Sequence, residues 1–167
     1  MAQVFSEINK VVNVVSPFLH AGATAYTSDI VNMENYKKCT FVIHVGLGAA
    51  ATPGVLVYSG VDNVTCATAI PFKYRTQVAV APPGVGSDVP STLTDATTTG
   101  FALTTATTGA VYIVEVDAAV VASALAGADH CAIAMTTGAL GADLTYGILA
   151  ILSEPRYPQD ILATAID

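Results

Sequence analysis

Tryptophan is missing from this 167-residue chain, basic residues number only six, and charged residues make up 11% of it. An average soluble domain is about 25% charged. So few ionised groups leave an exterior poorly solvated, which predicts association with other copies or other proteins. Twenty threonines supply part of the missing polarity. The net charge is −7, and the only basic clusters are Lys37–Lys38 and Lys73–Arg75. A nucleic-acid binder tracks phosphates with clustered Lys and Arg, so no nucleic-acid partner is expected.

Long apolar runs are missing too. The most apolar stretches, such as "AAVVASALAGA", fall short of the roughly 20 residues that cross a bilayer. The start, "MAQVFSEINK", has no basic segment ahead of an apolar one, so no secretory leader and no membrane association are expected. Cysteines are few, odd in number and widely spaced, at Cys39, Cys66 and Cys131. That pattern predicts buried thiols in a reducing compartment rather than a disulfide framework.

Helical periodicity is nearly absent as well. In its place come short strand patterns. In "YKKCTFVIHVGL", Phe41, Ile43 and Val45 fall on one face and Thr40, Val42 and His44 on the other. "PGVLVYSG", "CATAIPFKYR", "TQVAVAPPG", "GFALTT", "AVYIVEVD", "HCAIAMTT" and "TYGILAIL" read as further strands. Pro71, inside such a pattern, marks an edge or a bulge because proline cannot donate to the ladder. Residues 82–98, rich in Pro, Gly, Ser, Thr and Asp, read as a long loop. Asp117 is placed to cap a short helix over "AAVVASAL", stopped by Gly127.

Eight to ten short strands at even spacing define an all-β fold, an antiparallel β-sandwich of jelly-roll-like type with one short helix. Residues 1–20 are expected to form an N-terminal arm or edge strand. Residues 21–167 are expected to form one sandwich domain with a C-terminal tail, 155–167.

Candidate chemistry is sparse. Gly46, Gly48 and Ala51 match G-x-G-x-x-A after a strand, but Pro53–Gly54 follows where a dinucleotide site needs a helix, so a hairpin loop is expected. Cys39, His44, Cys66, His130 and Cys131 contain no C-x-x-C pair, so no metal site is expected. No G-x-S-x-G is present. Glu115 and Asp117 share one strand face, as paired carboxylates in glycosidases share a cleft. A single strand is not a cleft, however, and a solvated or interface face with a helix cap is the plainer reading. No catalytic residue and no cofactor are expected. In "SEPRYPQD", Pro155 and Pro158 restrict the backbone and push the residues before them to extended geometry. Arg156 between them is read as a strut, bonding a carboxylate or backbone carbonyls through its planar fork.

Four stretches, "VNMENYKKCTFVIHVG", "AIPFKYR", "YIVEVDA" and "LSEPRYPQD", occur in an order that resembles a family of small tailed-phage virion proteins encoded among head genes. The resemblance spans about residues 10–160. It implies a non-enzymatic structural part of the virion, and brings no catalytic residues with it. Capsid decoration, or cement, is similar in size and class. Such proteins are often homotrimers that clamp neighbouring subunits of the major capsid protein on the outside of the shell, after synthesis in the host cytoplasm. A tail-tube or head–tail joining protein is the alternative, and a carbohydrate- or receptor-binding module a further one. For assembly, the arm and the tail are the expected surfaces, at Val4, Phe5, Ile8, Phe18, Arg156, Tyr157, Ile161 and Leu162.

Overall fold

Alternation within the strands decides which side chains meet. The computed structural model describes residues 4–20, 25–48, 53–78, 89–103, 109–136, 144–157 and 164–166. Along β4 (Tyr36–Gly48), Cys39, Phe41, Ile43 and Val45 are buried while Val42 and His44 look outward. Along β10 (Ala110–Asp117), Tyr112, Val114 and Val116 are buried and Glu115 and Asp117 exposed. The remaining strands are β1 (Lys10–His20), β2 (Tyr26–Thr27), β3 (Val31–Asn32), β5 (Gly54–Gly60), β6 (Thr68–Ile70), β7 (Phe72–Val78), β8 (Thr94–Ala96), β9 (Phe101–Ala102), β11 (His130–Met135) and β12 (Leu144–Pro155). Two short helices, α1 (Phe5–Ile8) and α2 (Ala118–Ala124), complete the described elements.

The strands form two antiparallel sheets, β1-β12-β4-β10-β7-β8 and β2-β11-β5-β6, with β3 on β11 and β9 on β5. The first strand pairs with the last, β1 with β12. Next, β2 and β3 pair with β11, then β4 with β10, and β5 with β6. A long ribbon of paired strands has thus been rolled onto itself, which is the jelly-roll form of a β-sandwich. The two inner faces supply one core, with Phe41, Ile43, Val114 and Ile148 of the first sheet packed with Val57, Ile70 and Ile133 of the second. Each such side chain contributes roughly 1.5–3 kcal/mol through burial.

This topology corrects three sequence expectations. The segment around Gly46–Gly54 is not a hairpin: β4 and β5 lie in different sheets, so the chain crosses the sandwich there. Nor is residue 82–98 all loop, since β8 adds to the edge of the first sheet beside β7. The part of that loop at 82–88 lies outside the described residues. The strand expected to begin at Thr76 is the second half of β7, held in continuous register with β10 from Lys73 to Val78. Pro71 stands between β6 and β7, at the corner where the chain changes sheets. A residue without an N–H suits the break between two ladders.

Asp117 caps α2 as expected, its Oδ1 accepting the Ala119 N–H at 2.7 Å. The helix carries the chain from one sheet to the other and buries Ala118 and Val121. Aromatic rings help close the space between the sheets. Phe101 of β9 stacks on Tyr74 at 3.9 Å and lies near Phe72 and Tyr112. At Gly100, φ is +70° and an added Cβ would sit 1.9 Å from the Val55 carbonyl oxygen, so only glycine fits this approach.

Candidate assembly surface

In an antiparallel sheet, residues opposite one another point to the same face. The register of the first sheet therefore lays out its outward rows. One row runs Val11–Ile151–Thr40–Glu115–Lys73–Asp95. The next runs Asn13–Leu149–Val42–Ile113–Arg75. A sheet with one solvated face normally alternates apolar-in with polar-out. Here β12, β4 and β10 carry Leu149, Ile151, Val42, Val111 and Ile113 at outward positions, all half-buried or exposed. Val11 is 47% exposed and Leu149 43%. The sequence signal for this face was the uncharged run "YGILAIL", in which apolar residues occupy both strand faces.

The charges of this face form two pairs, one between β7 and β8 and one between β4 and β12. Lys73 pairs with Asp95, and Lys38 with Glu154 at 2.9 Å, with all four side chains about half exposed or more. The Glu154 partner holds Lys38 above its ordinary pKa. Glu115 borders two shallow depressions of about 240 and 260 Å³. Asp117, its neighbour on the face, is engaged as the helix cap. The carboxylate pair thus lies on an open sheet face beside two lysines. Among the described residues, no three His, Cys, Asp or Glu side chains gather to hold a metal ion.

The arm residues Val4, Phe5 and Ile8 come together beside this face. The Glu7 carboxylate accepts the Val4 N–H, and Asn9 bonds the Phe5 carbonyl oxygen through both backbone and side chain. The single turn α1 so formed touches β1 and β12. None of its residues is buried, and Phe5 is 57% exposed. Phe18, at the far end of β1, is partly engaged within the chain, edge-on to Tyr26 at 5.6 Å and near Tyr146. Gly147 lets β1 lie this close, because a Cβ there would meet the Pro17 ring at 2.8 Å.

Arg156 turns back onto its own chain. Its Nε donates to the Tyr36 carbonyl oxygen at 3.3 Å, and its backbone N–H to that of Asn35 at 2.9 Å. Glu154, expected to be extended before Pro155, instead has φ +53°, in the left-handed region. Pairing explains the departure: Pro155 still lies opposite Tyr36, so the strand end follows the turn at residues 34–35 instead of running straight off the sheet. Tyr157 is exposed. Ile161 and Leu162 lie outside the described residues. Farther on, the Ala165 carbonyl accepts the Asn32 N–H and Ile166 packs on the core.

The three cysteines, distant in sequence, are neighbours in space. Cys39 and Cys131 are fully buried on facing sheets, and the Cys131 Sγ donates to the Met33 sulfur at 3.4 Å. Contact with the Cys39 thiol, then burial, pushes the Cys131 thiol well up. Burial likewise pushes Cys66 up to about 12. All three are free thiols.

No protein-family model matches the sequence, and no curated protein matches it. Among solved structures, one of infectious bursal disease virus, Gt strain, is similar over 95% of this chain, at 10% identity and a TM-score of 0.25. The chain spans 44% of the length of the chain it matches there. Similarity at that level defines neither a family nor a function, and no family membership follows from it.

Proposed function

We propose that this chain is a structural part of a virion without a catalytic step, a decoration protein that binds the outside of a phage head and clamps neighbouring capsid subunits. The observation that carries the reading is the apolar outward face of the first sheet, continuous with the exposed side chains of α1. A surface of this kind is stabilised by being covered, and so few charges elsewhere leave little to keep copies apart. Rolled two-sheet folds occur in viral capsid and lectin domains, and this chain has the first role's needs without the second's aromatic platform. A clamp works through area repeated by symmetry, where many modest contacts sum to high avidity. Self-association into a homo-oligomer, of which a trimer is the form that suits a decoration protein, belongs to the same reading.

The test compares heads assembled with and without the protein. The expected result is that purified protein binds empty heads at saturating, symmetric positions and raises their resistance to heat and osmotic shock. Equal resistance with and without it would reject the decoration role. Rings of six or open stacks formed by the protein alone would instead favour a tail-tube or joining role.

A further inference from the structure

Half of one sheet edge is protected and half is bare. β1 is an edge strand, paired on one side with β12. Its second half carries the devices that keep edges from pairing. The ladder slips between Asn13 and Val15 and again between Val15 and Phe18, Pro17 has no N–H, and the Val14 carbonyl is taken by the Asp29 N–H at 3.2 Å. Bulges, proline and a covering segment each blunt an edge. The first half has none of these. Lys10–Asn13 pairs with Leu152–Leu149 in unbroken register, and among the described residues no other backbone bonds its outer side.

Apolar surface collects around that bare half. Val4, Phe5, Ile8, Val11 and Leu149 are 36% to 57% exposed. On side chains of roughly 150–220 Å² this leaves on the order of 400 Å² of exposed apolar area along α1 and the two strands it touches. A standard interface takes about 800 Å² from each partner, of which a little over half is apolar, or roughly 450 Å². The patch is thus matched to one side of a stable association. Its charge is matched to itself. Between Val4 and Leu19 the only ionised side chains are Glu7 and Lys10, one of each sign. A strongly charged partner would find nothing to neutralise, whereas a second copy meets an equally neutral strand.

We infer that two copies of this chain pair through Lys10–Asn13 of β1, antiparallel across a two-fold axis, with each α1 packed over the joint. The two first sheets then form one continuous sheet through the particle-bound assembly. The inference deepens the assembly reading above and rests on it for its setting, with a two-fold pair in place of the trimer, because an isologous joint closes at two copies.

The experiment measures mass by sedimentation and binding to empty heads, for the full chain and for Val11→Lys and Phe5→Ser. Single cysteines at Val11, Val12 and Asn13, oxidised by copper–phenanthroline, report the pairing directly, with Val64→Cys, on a remote exposed loop, as control. The expected result is a dimer that both substitutions weaken by at least a hundredfold, and a crosslinked dimer from one or more of the β1 cysteines but not from position 64. Phe5 lies on a turn with no buried residue, so its variant stays informative should the Val11 variant fail to fold. A multimer that ignores both substitutions overturns the inference and leaves the decoration reading standing. So does a monomer that binds heads through β1, because a capsid strand is then the occupant. A monomer that also ignores heads overturns both.

Discussion

Replacing Arg156 by alanine removes one bond whose worth can be worked out. The guanidinium Nε reaches the Tyr36 carbonyl oxygen at 3.3 Å, on an exposed side chain. A hydrogen bond from a charged donor contributes about 1.5–3 kcal/mol. This one is longer than the usual 2.9–3.0 Å, and solvent screens it, which brings the expected loss to about 1 kcal/mol. The backbone bond from Arg156 to Asn35 survives the substitution, so the end of β12 keeps its place. In a chain of this size about 1 kcal/mol lowers Tm by roughly 2–4 °C. Urea and thermal melts over a hundredfold range of protein concentration measure it. Arg156→Lys should recover little, because an ammonium lacks the planar fork. If the loss changes with protein concentration, the guanidinium bonds another copy rather than Tyr36, and the reasoning fails. A loss above about 3 kcal/mol would refute it as well, since no single exposed bond accounts for that much.

Gly100→Ala should cost roughly 2–4 kcal/mol in a urea melt, because the methyl meets the Val55 carbonyl. Gly127→Ala has a similar backbone angle, +79°, but nothing within 4 Å of the added carbon, so only the left-handed penalty of about 1–2 kcal/mol applies. Near-equal losses would show that the β5–β9 approach is slack. Thiol titration with an aromatic disulfide at mildly alkaline pH should find the native protein nearly inert, and three reactive groups after unfolding, because contact with Cys39 together with burial keeps Cys131 protonated and burial keeps Cys66 so. Fast native labelling of more than one thiol would contradict the packing. The Asp62 carboxyl, accepting the Thr65 and Val64 N–H groups, titrates below its ordinary value of 3.8. Its contribution is therefore fully present above that value and is lost as pH falls through the lower, folded one. Asp62→Asn should flatten this part of the acid-unfolding curve, and an unchanged curve would remove Asp62 from the loop's stability.

Local chemistry made several parts of this protein readable from residues alone. The alternation in "CTFVIHV" and the carboxylate ahead of "AAVVASAL" specify a strand and a capped helix wherever they are placed, because both depend on neighbours a few residues away. The candidate surface was legible only in part. Phe5 and Ile8 are conspicuous in any reading of the arm, whereas Val42 and Ile113 look like core until the sheets are assembled. In "AVYIV" and "YGILAIL" both strand faces are apolar, so no periodicity says which one turns inward. The departures at Gly46–Gly54 and Glu154 have the same origin, since a turn signal reports that the chain reverses but not which sheet receives it. By itself the sequence determined strands, caps, a low charge and three thiols. The packing of two sheets decided which apolar side chains are core and which remain on the outer face. It also brought Cys39 and Cys131 together and left half of β1 bare. Those outcomes depend on partners tens of residues away, and burial of apolar area selects among them only when the whole sandwich closes.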